Sequence, residues 1–148
     1  PGMATEYFES DRSHAYFKDG WFVPGDVGFV DKSGRLILVG REARAFTVGS
    51  VNVFPEEIEN ALIEYPGLSE VVVVGLPSQL HDHIPVAVIS LDGTCEFEED
   101  RFLSWSKAEL GLVAPRAVRV TDSFPRTPEG KVDFRRVWSS AGGVLPNG

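Results

Sequence analysis

Cysteine, basic residues and long hydrophobic runs are all scarce in this 148-residue chain, and each scarcity excludes a class of protein. The single cysteine, Cys95, cannot form a disulfide within the chain, which is typical of a reducing compartment. No apolar run is long enough to cross a membrane, and no signal-peptide pattern is present. The sequence therefore predicts a globular, cytoplasmic protein without a membrane span.

The charge balance excludes a further kind of partner. Lysine and arginine together number 14, against 22 aspartate and glutamate residues, so the net charge is −8. Nucleic acids and anionic lipid surfaces are bound by basic faces. We therefore expect no nucleic acid partner and no docking on anionic lipid.

The histidines could suggest a metal site, but their spacing does not favour one. His81 and His83 flank Asp82, whereas His14 is distant in sequence. A zinc site needs three or four protein ligands. We expect no metal site in this chain.

Apolar runs predict several β-strands. Two β-rich runs flank the turn sequence Asp-Lys-Ser-Gly at 31–34, so residues 27–40 are predicted to form a hairpin that ends at Gly40 and Arg41. Residues 71–74 and 85–91 are continuous apolar runs typical of buried strands, and Gly-Leu-Pro-Ser at 75–78 is predicted to break the first of them. Shorter strands are predicted at 51–54 and around 118–120.

Turn and capping signals predict three helices. Pro55 suits a first helical position, and Glu56 and Glu57 favour the helix dipole there; apolar residues then follow at helical spacing until Pro-Gly at 66–67. Further helices are predicted over 96–109 and 133–139. Together these elements predict an α+β fold in which helices pack on a small mixed sheet.

One loop near the C-terminus carries a lysine between conformationally special residues. Residues 125–133 read Pro-Arg-Thr-Pro-Glu-Gly-Lys-Val-Asp. Proline fixes φ and glycine frees it, so the loop has a defined but movable shape. Lys131 can therefore present a compact positive charge to a phosphate or carboxylate, although an exposed surface lysine is the plainer alternative.

Three motifs occur in the order and spacing of one enzyme family. They are Gly-Trp-Phe-Val-Pro-Gly-Asp at 20–26, Gly-Arg at 40–41 followed by Gly-Ser-Val-Asn-Val-Phe-Pro-Glu-Glu-Ile-Glu at 49–59, and the lysine loop. In these motifs the chain resembles the C-terminal part of the adenylate-forming superfamily. That superfamily includes acyl- and aryl-CoA synthetases, peptide-synthetase adenylation domains and luciferase.

The resemblance implies a role for each motif. Asp26 would accept hydrogen bonds from both ribose hydroxyls of ATP, and Arg41 would steady the ribose or a phosphate. Lys131 would be the catalytic residue, reaching the α-phosphate and the substrate carboxylate during adenylation. Ala43 would mark the hinge, and Gly49 would lie where a pantetheine arm passes. Without the resemblance, each could equally be an ordinary turn or surface residue.

The resemblance also implies a division of the chain and a partner for it. Residues 1–42 would be the end of the N-terminal domain with the hairpin that leads to the hinge, 43–140 the C-terminal lid, and 141–148 a flexible tail. No Gly-rich phosphate loop is present, and the chain has no room for an acyl pocket, so both are expected in a larger N-terminal adenylation domain, on the same or a separate chain. Aromatic residues near the start, which suit packing on something larger, are Tyr7, Phe8, Tyr16, Phe17, Trp21 and Phe22.

The implied enzyme is an ATP-dependent carboxylate ligase of the acyl-CoA synthetase type. It would form an acyl-adenylate from a carboxylic acid and then a thioester, using ATP and Mg²⁺ in the full-length enzyme and CoA or phosphopantetheine as acceptor. Domain closure would deliver Lys131, and rotation would then remove it. The fragment alone is expected to be inactive and to bind none of these molecules.

Three departures from the family pattern leave alternatives open. Ala43 stands where the family usually has aspartate or lysine, Pro24 where it has threonine, and Ser50 where it has a second glycine. One alternative, indicated by Gly-Lys-Val-Asp at 130–133, is the adenylation domain of a peptide synthetase that loads a carrier protein. The other is a non-catalytic interaction module that retained the lid fold. Arg135 and Arg136 could touch a CoA nucleotide, or could be solvated helix charges.

Overall fold

The computed structural model describes residues 17–18, 21–23, 25–79 and 82–142. The expectations that concern the aromatic residues before position 17, and those for Pro24, His14 and His81, lie outside the described residues. So do positions 143–148 of the expected tail.

Nine strands in three sheets and three helices make up the described chain. The strands are β1 (Phe17–Lys18), β2 (Trp21–Phe22), β3 (Asp26–Val30), β4 (Leu36–Arg41), β5 (Phe46–Val48), β6 (Val51–Val53), β7 (Leu68–Ser78), β8 (Asp82–Leu91) and β9 (Ala117–Val120). The helices are α1 (Pro55–Leu62), α2 (Glu99–Leu110) and α3 (Phe134–Ser140), and 3₁₀ turns span Glu42–Arg44 and Gly111–Val113.

A five-stranded mixed sheet is the centre of the fold. Its strand order is β6-β5-β8-β7, and β9 also pairs with β8. Strand β7 runs antiparallel along almost all of β8, whereas β9 is parallel to β8 from Val86 to Ile89. Since β7 occupies one edge of β8, β5 and β9 lie on the other edge. The predicted α+β class with a small mixed sheet and packed helices is therefore confirmed.

Two hydrophobic clusters hold the sheet and helices together. The first joins α1 and α2 to the sheet through Ile58, Leu62, Ile89 and Phe102, which are at most 2% exposed. The second is formed by buried residues from β7, β8 and the C-terminal segment, namely Val72, Val74, Val86, Val88, Phe124, Val137 and Ala141. The two clusters place a helix layer on one part of the sheet and the lysine loop with α3 on another.

The predicted hairpin is confirmed, since β3 pairs antiparallel with β4. The Asp31 carboxylate closes its turn by accepting hydrogen bonds from the Ser33 hydroxyl at 2.7 Å and the Arg35 amide at 3.0 Å. These contacts, with that of Ser33 the largest cause, lower the pKa of Asp31 to about 2. The hairpin is thus fixed locally, by its own turn.

Strand β7 corrects one sequence expectation. The predicted break at 75–78 is wrong, because β7 continues through Gly75 and Pro77 to Ser78. Every second residue of a strand directs its N–H and C=O groups to the same edge. Val73 and Gly75 direct these groups away from β8, and the ring nitrogen of Pro77 therefore also faces away from β8. A proline in that position removes no hydrogen bond to β8.

The other boundaries agree with the sequence to within a few residues. Helix α1 begins at Pro55 as predicted but ends at Leu62, before the Pro-Gly pair. Helix α2 begins at Glu99 rather than 96, and α3 begins after Asp133, whose carboxylate accepts a hydrogen bond from the Arg136 amide at 3.1 Å. Strand β5 was not predicted. None of the helices in the described ranges is long and apolar enough to cross a membrane.

Candidate active site

The structure brings Asp26 and Arg41 together. They are paired residues at the open end of the β3–β4 hairpin, and Arg41 Nε lies 3.1 Å from Asp26 Oδ1. The Asp26 side chain is 32% exposed and that of Arg41 65% exposed. Both groups can therefore reach a ligand, and their opposite charges hold each other in place.

This pair leaves hydrogen-bonding groups available for a ligand. Arg41 contacts Oδ1 of the Asp26 carboxylate, and a carboxylate has about four lone-pair positions for hydrogen bonds. Further hydroxyl donors can bind the same carboxylate. The guanidinium keeps donors for a second acceptor such as a phosphate.

The predicted hinge forms a short 3₁₀ turn directly after this pair. The Glu42 amide donates to the Gly25 carbonyl at 2.9 Å, so the start of the turn is held by the hairpin. Ala43 is exposed in the middle of the turn. Its methyl group offers no polar contact, which leaves the turn to be held by its neighbours.

The sequence interpretation missed Arg44, the last residue of that turn. Its Nη1 lies 3.0 Å from Glu56 Oε1 and 3.1 Å from Glu59 Oε2, and its Nη2 contacts Glu59 Oε1. The side chain is only 14% exposed. A signal was present in the sequence, because Glu56 and Glu59 are three residues apart and lie on one face of α1.

Gly49 occupies the tight turn between β5 and β6. Val48 and Val51 are paired, so Gly49 and Ser50 form a two-residue hairpin loop. Gly49 has φ of +60° and Ser50 does not have a positive φ, which is the pattern of a type II′ turn with glycine at its first position. A side chain at Gly49 would meet no atom of the described chain within 4 Å, so this surface is open.

The lysine loop is a tight turn fixed at both ends. The Thr127 amide donates to the Lys131 carbonyl at 2.8 Å, and the Gly130 amide donates to the Thr127 carbonyl at 2.9 Å. Arg126 ties the loop to the sheet through Glu70 Oε2 at 2.6 Å, and its Nη1 donates to the Gly130 carbonyl at 3.2 Å. Lys131 is exposed on this anchored loop.

The predicted site residues therefore lie in three separate places. Asp26 and Arg41 are in contact, with Ala43 in the turn that follows, whereas no hydrogen bond or ion pair within the described ranges joins Lys131 to either of them. Gly49 lies in a third place. Over the residues described here, no group of three histidine, cysteine, aspartate or glutamate side chains could hold a metal ion.

Comparison with known proteins identifies the family. A family model described as the AMP-binding enzyme C-terminal domain matches residues 57–131, about half of the chain. The chain belongs to this family. The 2-succinylbenzoate–CoA ligase of Listeria monocytogenes is 32% identical over 138 residues, which are 93% of this chain and 29% of that protein.

Solved structures of adenylate-forming enzymes share the fold. The amide bond synthetase McbA from Marinactinospora thermotolerans matches with a TM-score of 0.77 and 29% identity, over 88% of this chain and 27% of that one. ATP-bound MatB from Rhodopseudomonas palustris matches with a TM-score of 0.77 and 28% identity, over 88% and 26%. The chain spans less than a third of the length of the curated relatives that it matches.

Proposed function

We propose that this AMP-binding enzyme C-terminal domain belongs to an ATP-dependent carboxylate ligase that forms an acyl-adenylate and then a thioester. The observation that carries the proposal is the Asp26–Arg41 ion pair beside the hinge turn, combined with an exposed lysine on a separately anchored loop. A hinge between the two groups allows one to bind the nucleotide while the other is brought in or withdrawn.

Asp26 and Arg41 would bind the nucleoside part of ATP. The Asp26 carboxylate would accept hydrogen bonds from the two ribose hydroxyls, and Arg41 would hold the carboxylate and donate to the ribose or a phosphate. The partial exposure of both side chains leaves room for these contacts. Mg²⁺ would accompany the phosphates of ATP, and we assign it no ligand among the described residues.

Lys131 would act in the first half-reaction. An oxygen of the substrate carboxylate attacks the α-phosphorus of ATP, a new phosphorus–oxygen bond forms, and pyrophosphate leaves. Negative charge builds on the equatorial oxygens during this step, and a positioned ammonium stabilises it more than the ground state. The hydrogen bonds that fix residues 126–131 would give the ammonium a defined position.

The exposed hairpin supports a large partner domain. Apolar side chains on both faces of the β3–β4 ribbon are open to solvent, at 56% exposure for Phe29, 67% for Val30, 66% for Leu36 and 64% for Leu38. A two-stranded ribbon is marginally stable alone, and an apolar surface of this kind marks an interaction site. We propose that residues 1–42 complete the N-terminal adenylation domain and that 43–140 form the lid.

CoA is the proposed acceptor in the second half-reaction, and a carrier-protein phosphopantetheine is the alternative. The similarity to a 2-succinylbenzoate–CoA ligase supports CoA. The open surface at Gly49 leaves space for a pantetheine arm.

A non-catalytic module remains a second candidate because Ala43 departs from the family pattern. A cytoplasmic location fits the single cysteine.

Replacement of Lys131 tests the function in the full-length enzyme. Lys131→Ala should slow acyl-adenylate formation by about 100- to 1,000-fold, as removal of one charge-stabilising donor does. Thioester formation from preformed adenylate should be much less affected, because Lys131 is withdrawn in that step. Pyrophosphate exchange measures the first half-reaction, and thiol consumption with supplied adenylate measures the second.

Lys107→Ala is the matched control, since Lys107 is an exposed lysine of the same lid on α2. It should leave both rates unchanged. Equal losses in both half-reactions on Lys131→Ala would contradict the role of Lys131. An unaltered first half-reaction would also contradict it, whereas a wild-type protein that forms no adenylate would favour the non-catalytic module.

A further inference from the structure

Arg44 connects the hinge to three separate elements of the lid. The residue ends the 3₁₀ turn Glu42–Arg44, and its guanidinium contacts Glu56 and Glu59 on α1. It also donates to the Val73 carbonyl of β7 at 3.3 Å, and its Cζ lies 3.9 Å from the centre of the Phe134 ring at the start of α3. The residues that accept hydrogen bonds from Arg44 lie 12 to 29 positions away in sequence.

Among the described residues, Arg44 is the cation that pairs with the carboxylates of Glu56 and Glu59. Glu59 uses Oε1 both for Arg44 and for the Val73 amide, which donates to it at 2.7 Å. Its side chain is 16% exposed and that of Glu56 is 25% exposed, so neither is free in water. Removal of the guanidinium would leave two partly buried carboxylates without a cation, which is costly.

The polar contacts of Arg44 lie beside a cavity rather than within the packed core. Beside Arg44 lies a cavity of about 350 Å³, whose lining includes Ala43, His83, Phe134 and Trp138. The exposed Ala43 contributes only a methyl group. The Arg44 side chain therefore makes the polar connection between the end of the turn and the lid, two residues before Phe46 enters the core.

The contact with Phe134 extends this connection to the lysine loop. Phe134 follows Asp133, which caps the start of α3 and whose amide donates to the Pro125 carbonyl at 2.8 Å. Lys131 is three residues before Phe134 on the same short segment. A movement of Arg44 relative to α3 would displace the base of the loop that carries Lys131.

We propose that Arg44 is a positioning residue that fastens the end of the hinge to the lid. Rotation of the lid about the hinge is then confined to the backbone of Glu42 and Ala43. The lysine loop keeps a fixed orientation relative to the end of the hinge turn. The catalytic consequence rests on the proposed function, whereas the fastening itself does not. Glu59 shares the role, because it joins Arg44 to the Val73 amide.

The test compares Arg44→Met and Arg44→Lys in the full-length enzyme, with Arg119→Met as control. Arg119 is an exposed arginine of the same lid on β9. In Arg44→Met, hydrogen exchange of amides 42–48 should accelerate about tenfold, since charged hydrogen bonds that resist local opening are lost. Arg44→Lys should recover most of this protection, and Arg119→Met should not change it.

The half-reactions provide the second measurement. Arg44→Met should slow adenylate formation about tenfold, because a small displacement of a catalytic group is costly, and should change thioester formation from preformed adenylate less than about threefold. Arg44→Lys should lie between Arg44→Met and the wild type. A merely structural role would instead lower both rates together with the unfolding temperature.

Two results would overturn the proposal. The first is unchanged exchange of amides 42–48 in Arg44→Met, which would show that Arg44 does not fasten the turn. The second is an equal slowing of both half-reactions, which would show that the lid orientation does not depend on Arg44. If the wild-type enzyme makes no adenylate, the proposed function fails, and the exchange measurement still decides the fastening.

Discussion

Replacement of Gly75 by alanine would test how tightly Phe46 of β5 packs against Gly75 of β7. A Cβ atom at Gly75 would lie 2.4 Å from Cγ of Phe46 and within 2.8 Å of both of its Cδ atoms. Phe46 begins β5 and is 9% exposed within the first hydrophobic cluster. Contacts this short cannot persist, so the ring or the backbone must move.

The cost follows from two opposing effects. Forcing an additional methyl group into a packed site typically costs about 1–3 kcal/mol. Gly75 does not have a positive φ, so alanine fits the backbone and recovers about 0.4–1 kcal/mol from the unfolded state. We expect a net loss of about 1–2 kcal/mol, which lowers the unfolding temperature by about 3–8 °C in a chain of this size.

A double-mutant cycle identifies the ring as the cause. Unfolding of the chain with urea gives the free energy for Gly75→Ala, for Phe46→Ala and for both together. In the Phe46→Ala background the ring is absent, so Gly75→Ala should cost nothing more. Gly93→Ala meets no atom within 4 Å and is disfavoured by its φ of +76° instead, so its cost should be the same in both backgrounds. An equal cost of Gly75→Ala in both backgrounds would refute the packing argument.

Two further perturbations concern a turn and the core. Hydrogen bonds from Ser33 and Arg35 hold the pKa of Asp31 at about 2, below its ordinary 3.8, so its contribution to stability is complete above about pH 4 and is lost as the pH falls from about 4 to about 2. Ser33→Ala should raise this pKa in an NMR titration of the carboxyl carbon, and an unchanged value would contradict the assignment. Phe102→Ala should cost about 3–5 kcal/mol in urea unfolding because the ring is 0% exposed, whereas Leu112→Ala, at a 73% exposed site, should change stability by about 0.5 kcal/mol or less. Similar losses for Phe102→Ala and Leu112→Ala would be inconsistent with this core.

Features that depend on neighbouring residues were predictable from the sequence. Pro55 and the two glutamates after it start α1, and the Asp-Lys-Ser-Gly sequence at 31–34 closes the hairpin through contacts no more than four residues apart. The Asp26–Arg41 pair also follows from a local property, because hairpin pairing places the two ends of 26–41 opposite each other. Local signals therefore predicted the helices and the hairpin, whereas the proposed roles of Asp26 and Arg41 came from the family resemblance.

Features that depend on distant residues were not predictable in this way. Strand β5 has three residues and is recognised by its pairing with β6 and β8 rather than by its composition. Gly75 and Pro77 are local signals for a break, but pairing with β8 overrides them. The role of Arg44 depends on partners up to 29 residues away in β7, which only the folded chain brings together.

The contacts of Arg44 also explain how the open edge of β7 is covered. Within the described chain β7 pairs with β8 alone, and its other edge would present unpaired polar groups to a foreign strand. Instead, the Glu59 carboxylate accepts a hydrogen bond from the Val73 amide, and Arg44 donates one to the Val73 carbonyl. Trp138 Nε1 donates to the Gly75 carbonyl at 3.0 Å. Because these side chains come from α1, the hinge turn and α3, one set of contacts both closes the edge and joins the hinge to the helix behind the lysine loop. Release of the turn at Arg44 would expose the Val73 carbonyl of this edge, whereas rotation at Glu42 and Ala43 would break the hydrogen bond from the Ala45 amide to the Glu42 carbonyl and leave the edge covered.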